Sequence, residues 1–357
     1  MISTASSTSS NKLFPLWLSR LVRATVRGIR RVKRAVLSIP AIRDISDEVF
    51  FSEFNPGEQV GHEMLLADAV RMNAYRAGIG RNVKAGDVVV DLGTGTGILA
   101  MLAAQQGPKV VHAIDSSNIV FLAQRIAAAN GFTNIVFKNI SSRRLALDEP
   151  ADVIVHEQIG QALVDEGMIE KTLDLKKRLL RPSGRILPGR FEMFLEPACL
   201  KDDYRTPFLW QAGFPGIEYG SLKELTQGEH FRLSTQDWHV GTRAAIDYFL
   251  CDPSPVLRFD LNEITDPSEV PNRVTASRVV RRAGRVDGFC LYFRVIFDEA
   301  VDFDTSPFSP RTVWDSIHVR VDSRHYREGE TIAFSLQMRD RFDFETWTVE
   351  IAGAPAI

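Results

Sequence analysis

Apolar residues between positions 87 and 155 alternate between short β-branched runs and longer segments with helical spacing. Short apolar runs bounded by turn residues predict buried strands, whereas apolar residues at intervals of three and four predict amphipathic helices. The pattern predicts strand 87–92, helix 98–106, strand 109–115, helix 118–130, strand 134–138 and strand 151–155. This alternation is typical of a doubly wound parallel sheet, so we expect an α/β domain.

The second half of the chain has a different pattern of apolar and turn-forming residues. After about Pro188, strand-like runs at 285–297, 314–321 and 331–338 are separated by Pro, Gly and Asp, which predicts an all-β domain. The segment 202–236 does not fit this pattern, because it holds two Trp/Phe clusters and a weakly helical stretch at 221–227. We interpret it as an inserted arm. The predicted domains are 45–187 and 188–357.

The first 44 residues are basic and have the outline of an amphipathic helix. No acidic residue precedes Asp44, and apolar residues separate the cations Arg20, Arg23, Arg27, Arg30, Arg31, Lys33 and Arg34. An organelle transit peptide, an anionic-membrane contact, a nucleic-acid arm and an extension that packs on protein all remain open. We do not expect a secretory signal, since arginines interrupt any apolar core.

Composition excludes several classes of protein. The formal net charge of -2 over 357 residues argues against nucleic acid as a partner, because phosphate binding requires a concentrated positive field. The three cysteines are far apart and predict neither a zinc site nor a disulfide framework, which favours a reducing cytoplasm. No apolar stretch reaches the roughly 20 residues that span a bilayer, so we do not expect an integral membrane protein.

A glycine-rich turn follows the first predicted strand. We call residues 91–97 the glycine turn; its three glycines are Gly93, Gly95 and Gly97. Glycines at this point permit positive φ and close approach of a ligand to the backbone, while the following helix offers free N–H groups. The GxGxG spacing differs from the GxGxxG of dinucleotide sites, and the Lys-Ser/Thr of a phosphate loop is absent.

Two acidic residues indicate what the turn binds. Asp91 directly precedes the glycines and would oppose a phosphate, but it suits a ligand that carries an ammonium and a sulfonium. Asp115 closes the second strand, where a carboxylate can accept both hydroxyls of an adenosine ribose. S-adenosyl-L-methionine is therefore the leading cofactor. A tight strand-to-helix turn that binds no ligand is the alternative.

Three further motifs resemble the protein arginine methyltransferase family. Residues 157–166, the double-glutamate loop, place Glu157 and Glu166 nine positions apart around a glycine. Residues 62–75 are similar to the family's segment that folds over the cofactor, and residues 303–314 are similar to the run that leads into its threonine-histidine-tryptophan loop. The likeness runs in order from about residue 47 to residue 351.

This resemblance implies a fold and a set of site residues. It implies a Rossmann-like cofactor domain, a cis peptide bond at Pro188, and a β-barrel whose arm at 202–236 forms a homodimer. The implied catalytic residues are Glu157, Glu166 and Trp314. The resemblance also places Arg71 on the cofactor's carboxylate, Asp115 on its ribose and Ser142 near its adenine, with His62 a further cofactor contact.

A pair of glutamates suits a guanidinium as methyl acceptor. The group is always protonated at neutral pH and offers a planar fork of donors that carboxylates bind bidentately. Holding two nitrogens at Glu157 and Glu166 would direct the third toward the sulfonium methyl, so that transfer depends on positioning and electrostatics. We expect no metal. The alternative is an exposed acidic loop in which Glu166 caps a helix.

Several positions depart from the family's pattern. Val313 stands where the family has histidine, so we expect Asp68 to lose its partner. His156 could replace the lost proton acceptor, but a lone histidine at the end of a strand is more often structural. The segment 50–54 lacks tyrosine hydroxyls. Gln158-Ile159 and Gln161 replace aromatic residues and make the acceptor wall more polar.

The sequence therefore leaves three hypotheses. The first is an N-methyltransferase acting on the guanidino group of arginine, in a peptide or as the free amino acid. The second is a small-molecule methyltransferase on the same scaffold, with a guanidino or amine acceptor. The third is a protein that binds the cofactor without catalysis. An RNA methyltransferase is not expected, because no Asn-Pro-Pro-aromatic pocket follows the fourth strand.

Overall fold

A computed structural model describes residues 56–227 and 234–352 of the chain. The predicted basic extension 1–44 and the aromatic segment 50–54 lie outside the described residues, as do residues 228–233 of the arm. In the described parts, no helix combines the length and the apolar character needed to cross a bilayer.

The first half is the predicted parallel sheet, flanked by five helices. Two helices, α1 (Pro56–Ala67) and α2 (Ala69–Asn82), precede the sheet. The later elements are β1 (Val88–Leu92), α3 (Ile98–Ala104), β2 (Val110–Asp115), α4 (Ile119–Ala129), β3 (Ile135–Asn139), β4 (Ala151–His156), α5 (Met168–Leu179) and β5 (Leu180–Leu187). Each element that the sequence predicts here ends within two residues of the observed one.

The strand order of this sheet is β3-β2-β1-β4-β5, with all neighbours parallel. The chain moves outward in one direction from β1 to β3 and then returns to the other side of β1 with β4. In open α/β sheets, ligands bind beyond the carboxyl ends of the strands at such a reversal. The glycine turn follows β1 and the double-glutamate loop follows β4, so the topology brings the two motifs together.

The second half is β-rich, as predicted. It contains an antiparallel seven-stranded sheet, a three-stranded sheet and a short two-stranded hairpin in the arm. The strands are β6 (Arg190–Leu200), β7 (Gly213–Phe214), β8 (Ile217–Glu218), β9 (Asp237–Gly241), β10 (Ile246–Phe249), β11 (Leu257–Asp260), β12 (Arg273–Val279), β13 (Gly284–Asp298), β14 (Val301–Asp304), β15 (Ser316–Tyr326), β16 (Thr331–Gln337) and β17 (Thr348–Ile351). The weakly helical stretch predicted in the arm is a 3-10 helix, Gly220–Gln227.

The two sheets meet at a proline and share one core. The Leu187–Pro188 peptide bond is cis, which confirms the expectation from the resemblance. Helix α2 packs against the β-rich half, where the rings of Tyr75 and Phe297 meet edge to face at 4.9 Å between centroids. Gly78 allows this approach, because a Cβ there would collide with the Phe297 ring. The cleft between the halves is therefore bounded by tightly packed elements.

Candidate active site

The glycine turn adopts the backbone conformation that its sequence predicts. Gly93, Gly95 and Gly97 have φ values of 72°, 52° and 84°, a region that side chains other than glycine rarely enter. A Cβ on Gly93 would collide with the Gln158 amide, and one on Gly95 would lie 3.1 Å from Cε1 of His62. Gly97 is the N-cap of α3. The turn therefore brings its backbone close to the residues that face it.

Replacing Gly97 with alanine is expected to destabilise the protein more than the same change at Gly86. Both glycines have positive φ, 84° and 87°, and forcing an L-residue there costs about 1–2 kcal/mol. Only Gly97 adds a steric contact, at 3.0 Å to Cβ of the buried Ala123, whereas nothing lies within 4 Å of Gly86. Chemical denaturation of the two variants measures the difference; equal losses would contradict this account of the turn.

Asp91 is the first residue of the glycine turn and is fully buried. Its Oδ2 accepts a hydrogen bond of 2.6 Å from the Thr94 hydroxyl, while its Oδ1 has no hydrogen-bond partner in the described chain. Burial raises the pKa of this carboxyl to about 7, against the lowering effects of the Thr94 hydroxyl and of the Ala100 backbone N–H. A buried carboxylate with an unused oxygen favours a nearby cation.

Asp115 is fixed by two backbone donors at the end of β2. Its Oδ2 accepts from the Gly95 N–H at 3.0 Å, and its Oδ1 accepts from the Ser117 N–H at 2.9 Å. The side chain lines the cleft beside the glycine turn. These bonds orient the carboxylate where the ribose was predicted to lie; that role stays a prediction.

Asp68 retains a partner despite the loss of the family's histidine, and our expectation that it would not was wrong. Its Oδ1 accepts from the Arg71 N–H at 3.0 Å, which caps α2, and its Oδ2 accepts from the Val313 N–H at 2.7 Å. A main-chain donor therefore replaces the missing side chain. This bond ties the start of α2 to the segment before Trp314.

Arg71 is a buried cation that reaches the first glutamate. One of its terminal nitrogens donates to Oε2 of Glu157 at 3.1 Å and the other to the Leu65 carbonyl at 2.8 Å. Its Nε has no hydrogen-bond partner among the described residues. Since buried charges are normally paired and fully bonded, the guanidinium retains capacity for an anionic group in the cleft.

The double-glutamate loop is a tight turn between β4 and α5. Gly160 and Leu163 exchange backbone hydrogen bonds, and Leu163 is buried with a φ of 70°, a conformation that costs about 1–3 kcal/mol for such a residue. A Cβ on Gly160 would collide with the Asp165 carboxyl. The packed turn fixes the positions from which Glu157 and Glu166 extend.

The two glutamates line the same cleft and are both harder to ionise than usual. Burial is the main cause that raises the pKa of Glu157, against the effect of Arg71. Glu166 as a residue is exposed at the mouth of the cleft, yet desolvation of its carboxyl group raises its pKa to about 7, and the charges of Glu157 and Asp165 raise it further. A cation between the two carboxylates would favour their ionised forms.

Trp314 closes one side of the cleft. Its indole N–H donates to the Ile159 carbonyl at 3.2 Å, and its ring stacks on Phe303 at 5.8 Å between centroids. The cleft has a volume of about 330 Å³. It brings together eight of the predicted site residues: His62, Arg71, Gly93, Gly95, Asp115, Glu157, Glu166 and Trp314.

Three predicted residues do not line this cleft. Asp91 and Gly97, the first and last residues of the glycine turn, are both buried. Ser142 lies in a 3-10 turn after β3, and its carbonyl accepts from Arg178 at 2.9 Å. Its proposed contact with adenine stays a prediction.

His156 does not replace the lost proton acceptor. The residue is fully buried and does not line the cleft. Its Nε2 bonds to the Pro188 carbonyl at 2.9 Å, and burial lowers its pKa to about 4. The hypothesis of compensation was wrong, because this ring joins the two halves of the chain at the cis proline.

Sequence reasoning missed Thr94 and Lys171. Thr94 binds the Asp91 carboxylate, and its position three residues after an aspartate is a spacing typical of local side-chain bonds. Lys171 donates to Oε1 of Gln158 at 2.8 Å. No pattern singles it out, since a lysine in the first turn of a helix is ordinarily a surface residue.

Known proteins share this arrangement. Residues 83–209 match a family described as a methyltransferase domain. The chain is 29% identical to protein arginine N-methyltransferase 6 of Danio rerio over 78% of this chain and 81% of that protein. It is 31% identical to protein arginine N-methyltransferase 1 of Dictyostelium discoideum over 76% of this chain and 79% of that protein.

A solved structure agrees with these relatives. The enzyme–prozyme heterotetrameric complex of Trypanosoma brucei PRMT1 with AdoHcy superposes with a TM-score of 0.67 and 26% identity, over 77% of this chain and 86% of that one. Fold, cleft and sequence identity lead to one conclusion. The chain belongs to the protein arginine N-methyltransferase family.

Proposed function

We propose that this enzyme transfers a methyl group from S-adenosylmethionine to a guanidino nitrogen of arginine, with Glu157 and Glu166 as the acceptor clamp. The observation that carries the proposal is the meeting of these two carboxylates, both with raised pKa, in one cleft with the glycine turn. A guanidinium matches the pair in charge and in bidentate geometry.

The residues around the turn fit the cofactor. S-adenosylmethionine carries an α-ammonium, a carboxylate and a ribose, and when bound it supplies a methyl group on a positive sulfur. The unpartnered Oδ1 of Asp91 suits the positive charge, and the unpartnered Nε of Arg71 suits the carboxylate. We propose Asp115 for the ribose hydroxyls, and His62, Gly93, Gly95, Gly97 and Ser142 as further contributors to the cofactor site.

Each residue of the clamp has a defined task. Glu157 and Glu166 hold two nitrogens of the acceptor and leave the third free to approach the methyl group. Trp314, fixed by Ile159, forms a rigid wall that excludes water beside them. Glu166, with a pKa at about 7, suits the acceptance of the proton that leaves the methylated nitrogen.

The test of this function is mass spectrometry of reactions with isotopically labelled cofactor. Free arginine, arginine-rich peptides and a panel of small amines are supplied separately. Label in a guanidino group supports the proposal and distinguishes free arginine from peptide. Label only in amines would favour the small-molecule alternative, which Gln158 supports as a polar residue of the cleft wall. Gln161, which was expected in the same wall, is not among the residues that line the cleft, and its amide donates to the Asp315 carbonyl at 2.7 Å. Tight cofactor binding with no transfer to any acceptor would favour a protein without catalysis.

We also propose that the arm forms a homodimer. Its apolar side chains are unusually exposed, with Phe214 at 73%, Ile217 at 55% and Leu209 at 50%, and exposed apolar patches mark interaction sites. Phe214→Glu is expected to convert a dimer to a monomer in sedimentation equilibrium, while Val279→Glu, an exposed position on β12, leaves it dimeric. A wild-type protein that sediments as a monomer would contradict the proposal.

A reducing compartment, the cytoplasm, is the proposed location. Cys199, Cys251 and Cys290 are all free and buried. Burial raises the pKa of Cys251 to about 11 and that of Cys290 to about 12. Such thiols are inert structural groups, which supports a protein that does not depend on disulfides.

A further inference from the structure

Gln158 joins the double-glutamate loop to the glycine turn. It lies just after β4, and its side chain reaches Gly93, where a Cβ would collide with the amide nitrogen Nε2. The amide oxygen Oε1 lies farther from the same point, at 3.9 Å. The residue is half-buried and lines the cleft. Its amide group therefore lies between the proposed acceptor clamp and the proposed cofactor site.

Lys171 fixes the orientation of this amide. The lysine lies near the start of α5, and its stem passes beside Gly167, where a Cβ would lie 3.8 Å from Cε of the lysine. Its ammonium group donates to Oε1 of Gln158 at 2.8 Å. Because an ammonium has three donors and no acceptor, only the oxygen of the amide can bond to it. The amide nitrogen is thus directed toward Gly93.

The amide nitrogen of Gln158 retains capacity to donate. A carboxamide carries two N–H donors. In the described chain the nitrogen reaches the Glu157 carbonyl at 3.4 Å, which is longer than the usual range of about 2.7–3.2 Å for such a bond. The oxygen of the same amide is already bonded to Lys171. The side of the amide that faces the glycine turn is therefore a donor only.

A group that only donates distinguishes between the parts of the cofactor. The ammonium of S-adenosylmethionine is itself a donor, and the ribose hydroxyls both donate and accept. The carboxylate only accepts, and its charge makes the hydrogen bond stronger. An amide is neutral, so it can bind a carboxylate without adding a positive charge near the sulfonium. These properties match the Gln158 amide to the carboxylate.

We propose that Gln158 donates a hydrogen bond to the carboxylate of the cofactor, and that Lys171 is a positioning residue that acts through Gln158. The inference rests on the proposed placement of the cofactor at the glycine turn. Arg71, proposed for the same carboxylate, bonds to the side chain of Glu157, while Gln158 bonds to the carbonyl of Glu157. Both donors are therefore anchored at one residue. The bond from Lys171 also polarises the amide, which strengthens its N–H donors.

Calorimetry with two ligands tests this role in the full-length protein. The first ligand is S-adenosylhomocysteine, the demethylated cofactor, and the second is its decarboxylated analogue, which lacks only the carboxylate. Gln158→Leu is expected to weaken binding of the first ligand about tenfold or more, since a hydrogen bond to a charged group is lost. Binding of the second ligand is expected to stay near the wild-type value. Gln158→Glu, which replaces the N–H donors with acceptors, is expected to weaken binding of the first ligand further.

Gln161→Leu is the matched control, because Gln161 also donates to a backbone carbonyl but does not line the cleft. This variant is expected to bind both ligands as the wild-type protein does. If Gln158→Leu weakens both ligands equally, or leaves the affinity for S-adenosylhomocysteine unchanged, the proposal is overturned. A wild-type protein that binds neither ligand would overturn the cofactor site at the glycine turn together with this inference.

A double-variant cycle tests the role of Lys171. In Lys171→Met the amide can turn over, so S-adenosylhomocysteine is expected to bind at least about twofold more weakly, as only one of two orientations is competent. In the Gln158→Leu background the same change is expected to have no further effect, because Lys171 acts through the amide. Additive losses would contradict this positioning role. These measurements need no turnover, so they test the inference whether or not arginine is the acceptor.

Discussion

Glu166→Gln is expected to lower kcat by about 10²–10³-fold, the typical loss when one electrostatic contact to a reacting group is removed. Glutamine retains the shape and one acceptor oxygen of the side chain but cannot balance the positive charge of a guanidinium. In the structure Glu166 lies at the mouth of the cleft, whereas the groups proposed for the cofactor surround the glycine turn. Cofactor affinity is therefore expected to remain close to that of the wild type.

Glu157→Gln is expected to be as inactive as Glu166→Gln but less stable. Glu157 is the partner of Arg71, with side chains only 12% and 4% exposed, and breaking a buried ion pair by removing one partner costs about 3–5 kcal/mol. The amide oxygen of glutamine can still accept from Arg71, which places the expected loss at the lower end. The two variants are therefore expected to have similarly low kcat values, whereas Glu157→Gln is expected to unfold at a lower temperature than Glu166→Gln.

Single-turnover kinetics and calorimetry with the demethylated cofactor measure these effects. Glu328→Gln, an exposed change on the loop between β15 and β16, controls for the loss of one negative charge. Full activity in both glutamine variants would contradict the proposed role of Glu157 and Glu166 as the acceptor clamp.

The activity of the wild-type enzyme is expected to increase as pH rises through about 7, because the Glu166 carboxyl must lose its proton before it binds a guanidinium.

The parts of the site that depend on local backbone geometry were predictable from the sequence. A strand followed by DLGTGTG restricts the backbone conformation of the turn, because three alternate glycines favour positive φ and the start of a helix. The order of strands and helices then fixes the topology, which brings the turn after β1 and the loop after β4 to the same edge of the sheet. For this reason residues as far apart in the sequence as Gly93 and Glu157 line one cleft.

Contacts between distant segments were not predictable in this way. The absence of histidine at Val313 suggested an unpaired Asp68, but a backbone N–H, which every residue except proline carries, supplies the bond. His156 had the right chemistry for a proton acceptor, and only its burial against Pro188 excludes that role. Lys171 needed the turn at Gly167 to reach Gln158. In all three cases the contact depends on where a side chain points in the folded chain, which the sequence pattern does not show.

Asp91→Asn is expected to weaken cofactor binding by about 10- to 100-fold at pH 8, since a hydrogen bond to a charged group contributes about 1.5–3 kcal/mol. The carboxylate is fully buried, with one oxygen on Thr94 and the other unpartnered. Asparagine can still accept the Thr94 bond, so the turn is expected to fold. What it loses is the negative charge that suits the ammonium and sulfonium of the donor.

The same substitution is expected to make the cofactor-free protein more stable at high pH. The folded-state pKa of Asp91, about 7, lies above its ordinary value of 3.8, so the folded state retains a proton that the unfolded chain releases. The stability that this proton provides is present below about pH 4 and is lost as pH rises through 7. Asparagine does not titrate, so Asp91→Asn does not lose stability in this way as pH rises. Its midpoint of thermal denaturation at pH 8 is expected to exceed that of the wild-type protein.

The affinity of the wild-type protein for the cofactor is expected to fall below pH 7, by up to about tenfold per pH unit, because the proton on Asp91 must leave before a cation binds. Other acids titrate in the same range, so the informative quantity is the difference between wild-type and Asp91→Asn curves measured by calorimetry. Asp252→Asn, a 77% exposed side chain in the β-rich half, controls for the change in charge. Parallel curves for wild type and Asp91→Asn would show that the donor's positive charge is balanced elsewhere, and the turn would then hold the cofactor by backbone contacts alone.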